Sequence, residues 1–253
     1  MRVFLVAGEA SGDRLGGALL AGLHQLAPEL EIAGVGGSEM RAQGLESLFP
    51  MDELSVMGLA EVLPRYRQLK RRLEQTAEAA LDFAPDILLT IDSPDFGLRV
   101  VSKVKGARPQ TRTVHYVAPS VWAWRPGRAD KMVKVIDHVL ALLPFEPPYM
   151  EAAGMDCDFV GHPVVAEPQA DAAEIADFRA EHGLGEAPFL LVLPGSRRGE
   201  VERLAPVFGP ALAAVLQDRP GTRLVLPAAA GVADLVRARS ADWPVRPLIL
   251  DPR

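Results

Sequence analysis

The chain has 253 residues, 49% hydrophobic and 24% charged, a composition typical of a globular protein with a sizeable core. Its net charge of −6 argues against nucleic acid as a partner, and its single cysteine, Cys157, excludes an intrachain disulfide. No run approaches the roughly 20 apolar residues of a membrane span. These features indicate a soluble protein of a reducing, cytoplasmic compartment, in which we expect Cys157 to be a small buried hydrophobe.

The first twenty residues predict a strand, a glycine turn and a helix. Residues 3–7 are an apolar run, residues 8–12 contain two glycines, and leucines then recur at helical spacing. This pattern opens a parallel βαβ sheet, which binds ligands at the mouth of such turns. Glu9 and Ser11 lie in the turn, and both are candidate site residues, although Ser11 could serve only as a helix N-cap. The glycine spacing does not match a dinucleotide-binding fingerprint.

The same alternation continues along the chain and predicts two parallel sheets joined by a linker at residues 164–171. Further strands are predicted at residues 31–37, 86–91, 111–117, 138–143, 189–193, 223–226 and 247–250. Helices are predicted at residues 38–44, about 59–83, about 98–105, about 171–182, about 200–217 and about 232–240, with a further basic helix before the strand at 138–143. Residues 50–58 and 144–148 are expected to be a loop and a turn. The predicted domains are residues 1–165 and 166–253.

Two carboxylates directly follow the apolar strand at residues 86–91, in the sequence Asp92-Ser93-Pro94-Asp95. The carboxyl end of a strand in such a sheet faces the ligand crevice. Asp92 is nearest the strand and is therefore the best-fixed candidate for a general base. The alternative is that Asp92 caps a turn and Asp95 caps the next helix.

Two of the three tryptophans, Trp122 and Trp124, share a proline-containing loop with Arg125. Aromatic rings flanked by cations predict a site for a sugar ring or a lipid that carries an anionic group. His115, on the preceding strand, is expected to be a core histidine. The five histidines are scattered without paired spacing, so no metal site is predicted.

The helix predicted at residues 59–83 combines an apolar stripe with a dense group of cations, in the stretch LPRYRQLKRRL at residues 63–73. Leu63, Tyr66 and Leu69 belong to the stripe, and Arg71 and Arg72 belong to the cations. Two interpretations stay open, a solvated helix face and an interfacial helix on anionic lipid.

A second glycine loop, LPGSRRGE at residues 193–200, separates a strand from a helix. Gly195 and Ser196 place backbone N–H groups at a helix N-terminus, where anions bind. Arg197 adds a planar fork suited to phosphate, and Glu200 lies in the first helical turn. The loop lacks the Lys-Ser/Thr pair of a P-loop. It fits a diphosphate, and the alternative is an ordinary turn with solvated arginines.

Seven stretches, in order along the chain, together resemble the lipid-A-disaccharide synthase family of Gram-negative bacteria. They are VAGEASGD (6–13), ELSVMGLAEVL (53–63), IDSPDFGLR (91–99), HYVAPSVWAWRPGR (115–128), LPFEP (143–147), FVGHPV (159–164) and LPGSRRGEVERL (193–204). The resemblance implies a two-lobed α/β fold of GT-B type, with parallel sheets and flanking helices. It implies an acceptor- and lipid-binding N-terminal lobe and a C-terminal lobe that binds a UDP-sugar.

The activity implied by the resemblance is an inverting glycosyl transfer without cofactor or metal. A 2,3-diacylglucosamine unit passes from its UDP carrier to the 6-hydroxyl of 2,3-diacylglucosamine 1-phosphate, giving a β-1′,6-linked disaccharide 1-phosphate and UDP. Such an enzyme would work as a peripheral protein on the cytoplasmic face of the inner membrane. Its expected partners are the two lipid sugars and the membrane surface, and whether a second copy of the chain joins them stays open.

The resemblance also implies roles for individual residues. Asp92 matches the position of the family's proposed base, Glu9 and Ser11 match its first-turn site residues, and Arg197 matches an arginine proposed to hold the UDP diphosphate. The full expected sets are Glu9, Ser11, Asp95, Trp122, Trp124 and Arg125 for the sugar substrates, Gly195, Ser196, Arg197 and Glu200 for UDP, and Leu63, Tyr66, Leu69, Arg71 and Arg72 for the membrane.

Family chains continue past the position of Arg253 with residues that complete the nucleotide pocket. We therefore expect an incomplete second lobe, and weak UDP binding by these 253 residues alone. Two alternatives stay open. Another GT-B sugar-nucleotide enzyme, such as a UDP-N-acetylglucosamine epimerase, predicts a soluble substrate and no lipid dependence. A non-catalytic module that binds lipid or nucleotide predicts vesicle binding without turnover.

Overall fold

The computed structural model describes residues 1–54 and 59–251. The chain divides into two compact units, Met1–Glu167 and Pro168–Arg253, and this division falls inside the predicted linker. Each unit is a parallel sheet with helices packed against it.

Within the described part of the first unit, six parallel strands form one sheet in the order β2-β1-β3-β4-β5-β6. The strands are β1 (Arg2–Ala7), β2 (Glu31–Val35), β3 (Ile87–Ile91), β4 (Arg112–Tyr116), β5 (His138–Ala141) and β6 (Asp156–Phe159). The helices are α1 (Ala10–Leu26), α2 (Ser38–Ala42), α3 (Leu59–Phe83), α4 (Pro94–Ala107), α5 (Gly127–Met132) and α6 (Pro147–Ala152). Short 3-10 turns occur at Met51–Glu53 and Pro163–Ala166.

Strand β1 shows why this sheet is covered on both faces. Phe4 and Val6 pack with α3 and α4 on one face, whereas Val3, Leu5 and Ala7 pack with α1 and α2 on the other. Successive side chains of a strand point to opposite faces, so a strand between two helical layers needs an unbroken apolar run. The apolar run at residues 3–7 meets this requirement.

In the part of the second unit that the structure describes, three parallel strands form a sheet in the order β7-β8-β9. They are β7 (Phe189–Leu191), β8 (Arg223–Pro227) and β9 (Leu248–Leu250). The helices are α7 (Ala172–Glu181), α8 (Arg198–Asp218) and α9 (Ala233–Ser240), with a 3-10 turn at Ala230–Val232. Leu224, Leu226 and the indole of Trp243 form a core with α8 and α9.

The sequence predicts neither α6 nor β6, and it places the start of α4 too late. Helices α4 and α6 both begin at prolines, Pro94 and Pro147, and Pro147 lies in the stretch predicted as a turn. Proline suits the first helical turn, because its missing N–H would have no partner there. Strand β6 is polar and escapes an apolar-pattern search because it is the edge strand beside β5, with largely exposed side chains.

No helix in the described residues combines the length and the apolar character needed to cross a bilayer.

Cys157 lies on β6, half-buried against the core on the face of the first sheet that α3 and α4 cover. Its burial, reinforced by the negative charges of Glu151 and Asp158, raises the pKa of the thiol to about 11, so the side chain packs as a small hydrophobe at neutral pH.

Candidate active site

The candidate site is built where strands β1, β3 and β4 end side by side. In the parallel register Ala7 pairs with Ile91, and Ile91 pairs with Tyr116. The residues that follow these strands therefore share one edge of the sheet, and the backbone N–H of Asp92 donates to the Tyr116 carbonyl at 2.9 Å. This edge is where a parallel sheet presents ligand-binding groups.

Asp92 is held in an uncommon conformation. Its φ is 51° and that of Ser93 is 33°, so two consecutive residues occupy the left-handed region. Such backbone costs about 1–3 kcal/mol per residue and persists where the surroundings enforce it. The half-buried carboxylate accepts a hydrogen bond from the Ser11 hydroxyl, with 2.7 Å between Ser11 Oγ and Asp92 Oδ2. Ser11 and Asp92, which were predicted as site residues from two different stretches of sequence, are therefore in direct contact.

Glycines make the approach of α1 to β3 feasible. A Cβ at Gly12 would lie 3.0 Å from the Ile91 carbonyl oxygen, and a Cβ at Gly8 would lie 3.2 Å from Ser93 Oγ. Ser11 is the second residue of α1, with Glu9 at the N-cap position. Ser11 is therefore inside the helix rather than capping it.

Glu9 and Asp95 flank this edge in different settings. Glu9 is half-buried at the mouth of the first turn. The Asp95 side chain is 89% exposed in the first turn of α4, with Oδ1 3.8 Å from the Arg128 guanidinium. An exposed pair at this distance contributes little to stability. Asp95 is therefore available to a ligand at small structural cost.

His115 lies on β4, fully buried, and its Nδ1 is 2.7 Å from Thr90 Oγ1. Burial lowers the pKa of His115 to about 4, partly offset by the Asp92 charge. The imidazole is thus neutral at pH 7. This confirms the prediction of a core histidine.

The His115 environment predicts an acid-sensitive fold. The unfolded imidazole takes up a proton near pH 6.5, whereas the folded one does so near pH 4. The unfolded state therefore binds more protons between these values, and the free energy of unfolding falls by about 2–3 kcal/mol as the pH drops from 7 to 4.5. Urea unfolding at both pH values, compared with His115→Gln, isolates this loss. An equal loss in His115→Gln would contradict the assignment.

The tryptophan loop follows β4 and packs on the turn that follows β5. The Trp122 ring meets the Phe145 ring edge-on, with centroids 5.2 Å apart, and the Arg125 guanidinium lies 4.2 Å over the Trp124 ring. Trp122 is 44% exposed and Trp124 67% exposed. The loop therefore presents aromatic faces and a cation to solvent, in agreement with its predicted character.

The sequence did not single out two buried carboxylates, of which Glu146 supports the tryptophan loop and Asp13 supports the start of α2. Glu146 is 3% exposed; its carboxylate accepts from the Leu143 N–H at 3.0 Å and from Trp122 Nε1 at a long 3.5 Å. Asp13, also 3% exposed, accepts three backbone N–H bonds of 2.7–3.0 Å from the start of α2. The available signal was an acid within otherwise apolar or small-residue stretches.

A cleft of about 890 Å³ opens beside the first turn, between α1 and the segments that follow β2. Ala10, Asp13, Gly37 and Arg41 contribute to its lining. Ser11 and Asp92 do not line it. The chemistry at the end of β3, rather than the size of this cleft, therefore defines the candidate site.

Helix α3 places the members of the predicted membrane set in different environments. Arg72 forms a two-pronged ion pair with Glu53, with Nε and Nη2 2.7 and 2.6 Å from its two oxygens, and its guanidinium lies 4.5 Å over the Phe49 ring. Hydrogen bonds from Arg72 and then Gln68 lower the pKa of Glu53 to about 2.

Leu69 packs against the core on the face of the first sheet that α1 and α2 cover. Arg72 and Leu69 thus serve the fold, whereas Leu63, Tyr66 and Arg71 are exposed. Residues 55–58 of the matching stretch 53–63 lie outside the described residues.

The glycine loop of the second unit, at residues 193–200, holds a carboxylate of the chain itself, that of Glu200. The N–H groups of Ser196 and Arg197 donate to Glu200 Oε2 at 3.0 and 3.2 Å, and Arg197 Nη1 lies 3.1 Å from Oε1. The hydrogen bond from Arg197 lowers the pKa of Glu200. Gly195, with φ 122°, approaches so closely that a Cβ would meet Glu200 Cβ at 2.5 Å. In this structure the Glu200 carboxylate therefore organises the loop, whereas the sequence predicted that Glu200 contacts UDP.

Among residues 1–54 and 59–251, no three His, Cys, Asp or Glu side chains are grouped so that they could hold a metal ion.

Similarity to known proteins covers nearly the whole chain. A family model described as lipid-A-disaccharide synthetase matches residues 3–236. A lipid-A-disaccharide synthase from Ruegeria pomeroyi is 66% identical over 253 residues, and one from Rhodospirillum centenum is 51% identical over 250. The matches cover 100% and 98% of this chain but 63% and 62% of those relatives, so the chain spans less than two thirds of their length.

Solved structures share the fold at low sequence identity. A UDP-GlcNAc 2-epimerase from Neisseria meningitidis, bound to UDP-GlcNAc, aligns with a TM-score of 0.71 at 11% identity, over 100% of this chain and 73% of that one. An epimerase from Methanocaldococcus jannaschii, in complex with UDP-GlcNAc and UDP, gives 0.63 at 11% identity, over 100% and 74%. These likenesses show a GT-B type fold. The family match and the 66% identity show that the chain belongs to the lipid-A-disaccharide synthase family of glycosyltransferases.

Proposed function

We propose that this chain carries the acceptor lobe and part of the donor lobe of an inverting lipid-A-disaccharide synthase. The reaction transfers 2,3-diacylglucosamine from UDP to the 6-hydroxyl of 2,3-diacylglucosamine 1-phosphate. The observation that carries the proposal is the Asp92 carboxylate, fixed at the carboxyl end of β3 by Ser11 and by its own backbone. The proposed reaction is that of the family to which the chain belongs. Asp92 is suited to act as its base because it follows the carboxyl end of β3, where a sheet of this kind binds ligands.

Inversion requires one displacement and one base. The acceptor's 6-oxygen attacks C1 of the α-linked donor sugar as the bond from C1 to the diphosphate oxygen breaks, and UDP leaves with the electron pair of that bond. Asp92 accepts the proton of the 6-hydroxyl during the attack. Ser11 occupies Oδ2, which leaves Oδ1 for this proton. No covalent sugar–enzyme intermediate forms, and the product linkage is β-1′,6.

Negative charge develops on the departing diphosphate, and we assign its stabilisation to the loop at Gly195, Ser196 and Arg197. The support is chemical, because the same N–H groups and guanidinium already hold the Glu200 carboxylate. Preorganised donors aimed at developing charge are a large source of catalysis. Glu200 keeps this loop in shape, and a diphosphate would share or replace its carboxylate there.

The acceptor is assigned to the first unit. Glu9 and Asp95 flank Asp92 and offer carboxylates to sugar hydroxyls. Exposed rings of Trp122 and Trp124 suit the apolar face of the sugar or an acyl chain, and Arg125 suits the 1-phosphate.

Product formation tests the proposal. We define the extended chain as residues 1–253 followed by the segment that continues the Ruegeria pomeroyi relative beyond the match. Incubated with the UDP-diacylsugar and the lipid monosaccharide phosphate, it is expected to release UDP and disaccharide in equal amounts, as measured by mass spectrometry. Epimerised UDP-N-acetylglucosamine in a lipid-free reaction would favour an epimerase instead. Lipid binding without UDP release would favour a non-catalytic module.

We further propose that the amino-terminal half of α3 contacts the cytoplasmic face of the inner membrane. Leu63 and Tyr66 are 68% and 55% exposed, and Arg71 is an exposed cation on the same helix. Apolar groups beside cations suit an anionic lipid surface. The proposed contact set is therefore Leu63, Tyr66 and Arg71, the exposed members of the predicted set.

Charge reversal tests this contact. A cation near an anionic surface contributes about 1 kcal/mol, so Arg71→Glu is expected to weaken binding of the extended chain to anionic vesicles about tenfold at low salt. Lys134→Glu makes the same charge change at an exposed position outside α3 and serves as the matched control. Vesicle cosedimentation measures both. Equal binding of the two variants would contradict the proposal.

A further inference from the structure

We propose that Ser11 is a positioning residue for Asp92, rather than a ligand of the substrate. This inference rests on the proposed role of Asp92 as the base, and it assigns the Ser11 hydroxyl a different task from the substrate contact expected from sequence. The inference rests on a short hydrogen bond, in which Ser11 Oγ lies 2.7 Å from Asp92 Oδ2.

The direction of this hydrogen bond follows from the groups present. An ionised carboxylate only accepts, so the hydroxyl must donate its single proton to Oδ2. Bonds to an ionised partner are roughly twice as strong as neutral ones. With its proton committed, Ser11 cannot donate to a substrate hydroxyl at the same time. The bond therefore fixes which carboxylate oxygen faces the reaction.

Three backbone features serve the same bond. Left-handed backbone at Asp92 and Ser93 turns the Asp92 side chain away from the extended path of β3. Gly12 lets α1 approach the Ile91 carbonyl, where a Cβ would lie at 3.0 Å. The Asp92 N–H is anchored on the Tyr116 carbonyl. Strain of this kind is retained where a geometry matters, and here it matters for the orientation of one carboxylate.

Several other charged or titratable groups surround the end of β3. They are Glu9 in the turn after β1, His115 on β4, Asp95 on α4 and Arg128 on α5. Burial keeps His115 neutral above about pH 5, so it does not titrate in the range where the base would operate. Ser11 adds no charge of its own, so replacing it changes the hydrogen bonding of Asp92 while the net charge of the site stays constant.

The split between kcat and KM separates positioning from substrate binding. In the extended chain, Ser11→Ala removes the hydroxyl that orients the Asp92 carboxylate, so the loss is expected to fall on kcat rather than on KM. We expect kcat to fall about tenfold or more with KM changed less than threefold. Ser11→Thr keeps the hydroxyl and is expected to restore most of kcat.

The outcomes distinguish this inference from the proposed function. If Asp92→Asn is inactive while Ser11→Ala raises KM at an unchanged kcat, Ser11 binds substrate and the inference is wrong. If Ser11→Ala changes neither kcat nor KM, the inference is also wrong. If Asp92→Asn keeps full activity, the proposed base itself fails. Ser11 is exposed at the second position of α1, and Ser11→Thr supplies the comparison should Ser11→Ala fold poorly.

Discussion

Asp92→Asn is expected to lower kcat of the extended chain about a thousandfold, because general base catalysis typically contributes 10²–10⁴-fold. Asparagine is close in size to aspartate and still accepts the Ser11 hydrogen bond. It also tolerates the left-handed backbone that Asp92 adopts with φ 51°, which most residues would resist. The substitution therefore removes the proton acceptor while it leaves the local geometry in place. Initial rates of UDP release with both lipid substrates measure the loss.

The control for this variant is Asp82→Asn, which makes the same chemical change at an exposed position near the end of α3. It is expected to keep kcat within about twofold. UDP binding measured by calorimetry should be the same in Asp92→Asn and in the unsubstituted extended chain, since Asp92 is assigned to the acceptor. A residual kcat above one tenth in Asp92→Asn would mean that another group removes the proton.

The largest expected effect on stability is that of Asp13→Ala. Its carboxylate accepts from the N–H groups of Gly37, Glu39 and Met40 at 2.7, 2.9 and 3.0 Å, and it is 3% exposed. Alanine leaves these donors without their acceptor, and each bond to a charged group is worth about 1.5–3 kcal/mol. Because such losses are not additive, we expect the free energy of unfolding of the first unit to fall by about 4 kcal/mol.

Tryptophan fluorescence during urea unfolding measures this loss. Trp122 and Trp124 lie in the first unit and Trp243 in the second, so a Trp243→Phe background restricts the signal to the first unit. Asp82→Ala removes an exposed carboxylate from the same unit and is expected to change stability by less than about 0.5 kcal/mol. A loss below 1 kcal/mol in Asp13→Ala would show that the three N–H groups find other partners.

Local patterns were enough to predict much of the fold. The apolar run of β1 and the long helix α3 appear where the sequence predicts them, because an unbroken apolar run and a helical repeat of apolar residues are both local signals. Edge strand β6 and helix α6 were missed, since one is polar and the other begins with two prolines. The position of the candidate site at one edge of the sheet was also predictable, because Asp92 directly follows β3.

Pairwise contacts were not predictable, because they depend on strand order. Ser11 and Asp92 are 81 residues apart, and they meet because β1 and β3 are neighbours although β2 lies between them in sequence. Arg71 and Arg72 are adjacent cations on one helix, yet one is exposed and the other is paired with Glu53. No periodicity distinguishes them, since the partner lies 19 residues earlier. Glu200 likewise fills a loop whose sequence suggested an external anion.

The anomeric configuration of the new glycosidic bond is the most direct test of the proposed reaction, an inverting transfer by a single displacement. Proton NMR on the disaccharide that the extended chain makes from the α-linked UDP donor reports it. A β-1′,6 linkage, formed with one UDP released per disaccharide, is the result we predict. An α linkage, or UDP release without disaccharide, would contradict it.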